Sequence, residues 1–268
     1  MKLTSNSYVE TAYAGANVGY IMTTDGIVMI DTPQRPTDAV EWRREIESKG
    51  QVKYIINTEP HFDHFTGNYF FSAPVIAHEQ AREKMVASDP SVAIARIAEI
   101  DPNGLSLIND YFVNGPSISF SDRLTLYLGN HTIHIIHLPG HTLGQVGVFV
   151  PEERVVFTGD NVFYKTFSYF HDANPFAWLE SLEKVDELDV DFIVPGHGDV
   201  CDKSYLGVQA SCIESTLESV RKAIGLGWSK QETGDRVTPV DTYLMLPGIG
   251  PELYKRGLAH LYELLIDR

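Results

Sequence analysis

Only two cysteines, Cys201 and Cys212, occur in the 268-residue chain, too few for a disulfide framework and ordinary in a reducing compartment. No G-x-S-x-G elbow is present, so nothing points to a serine nucleophile. The opening residues "MKLTSNSYVETAYAG" contain no apolar core of a signal peptide, and no run approaches the ~18 apolar residues of a spanning helix. Basic residues are scarce: 21 Lys and Arg against 36 Asp and Glu give a formal charge of −15. Such a surface repels phosphate backbones, which excludes nucleic acid as the expected partner. Repeats, low-complexity tracts and flexible linkers are also missing. The expectation is a cytoplasmic protein with no membrane partner.

What the chain has is core-forming material. Hydrophobic residues make up 43%, enough for a sizeable core, and the expectation is one domain over residues 1–268. "GYIMTT" and "IVMIDTP" are short apolar runs joined by Asp25-Gly26, a hairpin signal. "PTDAVEWRREIESKG" has helical spacing and a closing Gly50, and "VKYIINT" reads as a buried strand. "APVIAHEQ" reads as a strand leading into a helix near 79–88. Asp-Pro, Pro-Asn-Gly and Asn-Gly breakers then interrupt residues 89–115, which suits a lid or insertion as well as a connecting helix pair. "RLTLYLG", "HTIHIIHL", "QVGVFVP" and "RVVFTGD" follow as close-spaced strands. The helix "PFAWLESLEKVDEL", the strand "DFIVPGHG" and C-terminal helices over 203–268 complete the chain. Strands in two batches, each followed by helices, predict an α/β layered fold with two sheets.

Four segments end an apolar β-type run with a potential ligand: "TEPHFDH" (Glu59, His61, Asp63, His64), "LPGHT" (His141), "FTGD" (Asp160) and "VPGHG" (His197). Three carry a glycine beside the ligand, which lets the backbone turn sharply and present a side chain at the sheet edge. A lone P-G-H is more often a turn than a ligand. The four together, in this order, are a specific signal.

They resemble the metallo-β-lactamase superfamily, whose motif runs H-x-H-x-D-H followed by a distant His, Asp and His. The resemblance extends from "VMIDTP" through "PGHG" into the next helix. It implies an αββα four-layer sandwich with metals at one edge between the sheets. Carried over by motif, Glu59, His61 and His141 hold one metal, Asp63, His64 and His197 hold a second, and Asp160 bridges them. Asp63 and His61 are the residues assigned to catalysis, and Asp31 matches a strand-end Asp that supports ligands without binding metal. The departure is Glu59, where the family pattern has histidine. Carboxylate is a competent zinc ligand. With Asp63 and Asp160 it makes three carboxylates against the four charges of two divalent ions, so a cation held there is a weaker Lewis acid. The hard oxygen also makes Mn2+ or Fe2+ fit better than usual beside Zn2+.

The remaining histidines read as structural. His131, His134 and His137 recur at a spacing of three, which cannot share one strand face. His78 suits a helix start, and His260 lies on an amphipathic helix. "NVFYKTFSYFHDANP", after Asp160, reads as a loop in the segment that borders the pocket in this superfamily. Tyr164, Lys165, Tyr169 and His171 are its candidate substrate contacts, with packing between sheet and helix as the alternative.

The expected activity is metal-dependent hydrolysis, with a metal-bound hydroxide attacking an ester, lactone, thioester or amide of a small-molecule substrate. Two zinc ions are the expected cofactors. Asp160 favours the general hydrolase branch over true β-lactamases, which commonly carry Cys or Ser there. Two alternatives come from other classes. One is a mononuclear iron dioxygenase using His61, His141 and Asp160; the other is a binding protein that has lost its metal. The apolar residues of "DTYLMLPGIGPELYKRGLAHLYELL" suit packing within the chain or against a second copy as a homodimer.

Overall fold

Asp25-Gly26 does turn the chain. In the computed structural model, which describes residues 1–240, 243, 245 and 250–266, β2 (Val18–Thr23) and β3 (Gly26–Ile30) pair antiparallel with Thr23 opposite Gly26. They belong to a six-stranded sheet in the order β1 (Ser7–Glu10), β2, β3, β4 (Val52–Ile56), β5 (Val75–His78) and β6 (Ile118–Phe120). From β3 onward these strands run parallel. Parallel neighbours need crossovers, and α1 (Pro36–Glu47) supplies the first. Pro36 sits at its N-terminus, where a missing N–H costs nothing, and Ala39, Trp42 and Ile46 recur on its buried face.

The second sheet has five strands, ordered β11 (Phe192–Gly198), β10 (Val155–Tyr164), β9 (Val146–Val150), β8 (His131–His137) and β7 (Arg123–Leu128). The inner faces of the two sheets meet in one apolar layer. Val9, Ile21, Val28, Ile30, Ile56 and Ile76 face Ile133, Ile135, Val146, Val148, Val155 and Phe157. Trp42 and Ile46 of α1 cover the outer face of the first sheet. Helices α5 (Pro175–Glu187), α6 (Leu206–Gly225) and α7 (Gly250–Ile266) cover the outer face of the second. The fold is therefore the αββα sandwich. No helix among the described residues is long and apolar enough to cross a membrane.

Two details differ from expectation. Strands β1 and β6 carry too little alternation to be seen in sequence and form by pairing at sheet edges. Strand β10 runs on to Tyr164, so the first residues after Asp160 are strand and not loop. Its register shifts on either side of Gly159, which has φ of +50°. This bulge turns Asp160 out of the regular alternation. Residues 89–115 form α4 (Pro90–Ile100), capped by the Asp89 side chain, and a 3-10 turn at Pro102–Leu107. Ala93, Ile97, Ile108 and Tyr111 bury there against Phe62, Tyr69 and Phe70. The C-terminal stretch read as suiting packing within the chain or against a second copy lies partly outside the described residues.

A polar tie centred on Glu153 is among those that join the two halves. His131 Nε2 lies 2.9 Å from Glu153 Oε1, and the same carboxylate accepts from the Thr4 hydroxyl and from the Asn6 backbone N–H (3.0 Å) and side-chain amide (2.7 Å). Burial alone would push this carboxyl up, but the hydrogen bonds from Thr4, His131 and Asn6 outweigh it and hold it at about 2, against an ordinary 4.5. A depressed folded-state pKa means the tie stabilises fully above pH 4.5 and is lost as pH falls toward 2. Glu153→Gln should lower stability by about 1–3 kcal/mol at neutral pH. Urea midpoints of variant and wild type should converge as the pH approaches 2; a constant gap across the range would rule the tie out as the source.

Candidate metal centre

The "TEPHFDH" turn is built by a single strand end. Asp31, just past β3, holds a left-handed backbone (φ +56°), a conformation that strains most side chains but that Asp tolerates. Its carboxylate accepts from Thr58 N (2.8 Å) and Thr58 Oγ1 (2.6 Å), which pins the chain directly before Glu59. The amide of Asn57 donates to the His64 carbonyl at 2.9 Å, closing the loop on itself. His61 then stands at the N-cap of the single-turn α2 (Phe62–Phe65). Asp63 and His64 are adjacent on that turn, one half-buried and the other fully buried.

The seven motif residues converge as two groups. Candidate ligand atoms of Glu59, His61, His141 and Asp160 lie within 4.8 Å of one another, as do those of Asp63, His64 and His197. In the first group His61 Nδ1 is 3.0 Å from Glu59 Oε1 and 3.3 Å from His141 Nε2. In the second, His197 Nε2 is 3.3 Å from Asp63 Oδ2. Asp160 reaches both: its oxygens lie 3.2 Å from His64 Nε2, 3.4 Å from His197 Nε2 and 3.6 Å from His141 Nε2. Glu59 is fully buried and also comes within 3.0 Å of His64 Nε2. The glutamate therefore points into the cluster.

Two outer contacts orient the imidazoles. His64 donates Nδ1–H to Asp31 Oδ2 at 2.8 Å, leaving Nε2 directed inward. His141 donates Nδ1–H to the Tyr169 carbonyl at 2.8 Å, again leaving Nε2 inward. Asp31 itself belongs to neither ligand group.

The residues present fit divalent cations. Buried polar atoms are almost always hydrogen-bonded. Here Glu59 Oε2, His64 Nε2 and Asp160 Oδ1 are all buried without a hydrogen-bond partner. The charges agree. Burial disfavours every ion in the cluster, yet the imidazoles outweigh it and hold Glu59, Asp63 and Asp160 below the ordinary carboxylate range, His61 acting most on Glu59. The carboxylates in turn overcome burial to push His61 and His197 up to about 10. Two buried anions and the half-buried Asp63, recruiting protons onto neighbouring imidazoles, form the field that a cation would replace.

Glycine is required beside His197. A Cβ at Gly196 would overlap Asp160 Oδ1 and the Gly159 backbone. Gly196→Ala should displace Asp160 and destabilise the fold by about 3 kcal/mol, measured by denaturant unfolding. An unchanged midpoint would show that the strand ends are not so closely apposed.

The four candidate substrate contacts part company. His171 stacks on His61 with centroids 5.0 Å apart and meets His141 edge-on at 5.7 Å. Tyr169 reaches the site through its carbonyl, while its ring packs on Phe167. Tyr164 packs against Tyr205, and the Lys165 ammonium lies over the Tyr164 ring. Both line a surface hollow of about 450 Å³ with Leu3, Val200 and Cys201, which contains none of the seven cluster residues. The extra strand length of β10 carries them there. Sequence reasoning missed Asp172, whose Oδ2 lies 3.5 Å from His61 Nε2 and 2.8 Å from Lys84 Nζ. Its place beside His171 was a usable signal. Lys84 had none, because α3 (Glu79–Ala87) meets this loop only in the folded chain.

Of the other histidines, His78 caps α3 by accepting from Gln80 N, and His137 stacks on it at 3.9 Å. His134 pairs with Thr125 across β7 and β8, and His260 bonds the Ala173 carbonyl.

Comparison with known proteins gives one family. The model of the metallo-beta-lactamase superfamily matches residues 14–197. The chain is 22% identical over 192 residues to a beta-lactamase-like protein 2 homolog of Caenorhabditis elegans, covering 70% of this chain and 58% of that one. It is 28% identical over 165 residues to a hydroxyacylglutathione hydrolase of Brucella ovis, covering 60% and 52%. The chain thus spans little more than half the length of these curated relatives. A metallo-beta-lactamase family protein from Thermus thermophilus superposes with a TM-score of 0.71 at 17% identity, over 98% of this chain and 94% of that one. At that identity the likeness is one of fold.

Proposed function

The chain belongs to the metallo-beta-lactamase superfamily, and from that premise we propose that it is a metal-dependent hydrolase of an ester, lactone, thioester or amide bond. The observation that carries this is the double convergence: two ligand groups, the first containing Asp160, whose oxygens also approach His64 and His197 of the second, with Glu59 Oε2, His64 Nε2 and Asp160 Oδ1 buried and without a hydrogen-bond partner. Glu59, His61 and His141 would hold one zinc ion, and Asp63, His64 and His197 the other, with Asp160 between them. When bound, such ions supply Lewis acidity to a scissile carbonyl and make hydroxide available near neutral pH.

The chain's own residues do the rest. Asp31 and the Tyr169 carbonyl hold His64 and His141 with Nε2 inward, so no ring flip is needed when cations arrive. The ring of His171 stacks on His61 and meets His141 edge-on, which sets it beside the first ligand group as a contact for a bound substrate. A small-molecule substrate fits the formal charge of −15 better than any polyphosphate chain does. The relatives named hydroxyacylglutathione hydrolase put thioesters first among the bonds to try.

The test is metal quantification on purified protein combined with a panel of lactones, thioesters, phosphoesters and β-lactams. The expected result is about two zinc per chain and turnover of at least one acyl substrate that chelation abolishes and zinc restores. Turnover indifferent to chelation overturns the proposal. Iron with oxygen uptake would replace it with the dioxygenase reading, for which His61, His141 and Asp160 of the first group are the two-histidine, one-carboxylate set.

A further inference from the structure

Each cluster imidazole can serve a cation with only one ring nitrogen, so its other nitrogen must be occupied elsewhere. For His64 that partner is Asp31 and for His141 it is the Tyr169 carbonyl, both at 2.8 Å. His61 is turned the other way round. Its Nδ1 faces Glu59 and His141, and its Nε2 is buried with no hydrogen bond made. The carboxylate that Nε2 approaches is Asp172, at 3.5 Å.

Asp172 is not there by chance of a mobile loop. The segment after β10 is held on both sides of it. The Tyr169 carbonyl meets His141, the Ala173 carbonyl meets His260 Nε2 at 2.7 Å, and Asn174 N donates to the Gly140 carbonyl at 2.8 Å. Lys84 then reaches across from α3, on the other half of the sandwich, to bind Asp172 at 2.8 Å.

We propose that Asp172, steadied by Lys84, is the positioning residue of His61: it accepts the Nε2–H and thereby fixes Nδ1 toward the first ligand group. The assignment rests on reading that group as a metal site. It predicts an order of effects. Removing the carboxylate frees the His61 ring. Replacing it with an amide keeps an acceptor oxygen. Removing Lys84 only loosens the carboxylate.

The experiment uses the full chain with Asp172→Ala, Asp172→Asn and Lys84→Met, loaded with zinc and titrated against a competing chelator. Asp172→Ala should weaken one zinc equivalent by about 10–100-fold and leave the other within about 2-fold. Asp172→Asn should recover most of that loss, and Lys84→Met should cost less than about 3-fold, since an exposed ion pair contributes little. In cobalt-loaded protein, the exchangeable His61 Nε2–H resonance should persist in wild type, Asp172→Asn and Lys84→Met and vanish in Asp172→Ala. Unchanged affinities with the resonance intact in Asp172→Ala overturn the proposal. So does a Lys84→Met variant that matches Asp172→Ala, because the pair would then be only a latch. If wild type takes up no zinc or cobalt, the metal reading fails, and nitrogen-15 imidazole spectra of the metal-free protein decide the point instead. A protected His61 Nε2–H that Asp172→Ala abolishes supports the positioning role; equal exchange in both sinks it.

Discussion

Asp160→Asn should lower hydrolysis by at least about 10³-fold, the scale expected when a residue shared by a whole catalytic unit is removed. The reason is geometric. No other motif side chain approaches His64, His197 and His141 together, at 3.2, 3.4 and 3.6 Å. Asparagine has nearly the same shape, so the bulge at Gly159 and the surrounding core should survive, and thermal unfolding of the metal-free protein serves as the control. The amide removes one negative charge from the middle of the cluster and replaces one acceptor oxygen with a donor that repels a cation. Metal content should fall along with rate. A variant that hydrolyses the same substrate within about threefold of wild type would show that Asp160 does not join the two groups in any functional sense.

Glu59 carries the second large effect, and it discriminates between a retuned site and a degenerate one. Glu59→Gln keeps the volume of a fully buried side chain and removes its charge. If Glu59 is a ligand, this variant should lose about tenfold or more in affinity for one zinc equivalent, a loss at least as large as that from a supporting residue. Glu59→His should restore binding as a three-imidazole set. Fewer anions around a cation make it a stronger Lewis acid, so the pH at which hydrolysis switches on should move down by roughly one unit in Glu59→His. The paired readouts are chelator competition and the pH–rate profile. Were Glu59→Gln to bind two zinc ions as tightly as wild type, the glutamate would be a bystander, and the close approach of its oxygen to His61 and His64 would need another purpose.

Much of this molecule can be read in one dimension. Strands carrying consecutive apolar residues, such as those leading to Glu59, Asp160 and His197, announce burial on both faces. The short glycine-bearing motifs at their ends announce where side chains are presented. The Asp25-Gly26 hairpin, the helices at Pro36–Glu47 and Pro175–Glu187 and the layered order all follow from local periodicity and breakers. The resemblance to the superfamily motif, and not the spacing itself, also groups Glu59 with His61 and His141, and Asp63 with His64 and His197, because the family pattern records contacts between remote segments.

Other features are not local and left no such trace. The edge strands β1 and β6 exist through pairing, and the extra length of β10 exists because β11 lies alongside it, with Phe163 and Tyr164 in register with His197 and Gly198. That pairing carries Tyr164 and Lys165 away to a separate hollow. The loop that follows brings His171 and Asp172 back onto His61. Sequence by itself determined that ligand-type side chains end apolar strands and that the strands and helices form layers, since both depend on residue type and period along the chain; the grouping of the ligands and the αββα order came from the resemblance to the superfamily motif. Only the tertiary structure decided which nitrogen of each histidine faces inward and which carboxylate stands behind it. Ring orientation depends on partners from distant elements, and no spacing within one segment records them.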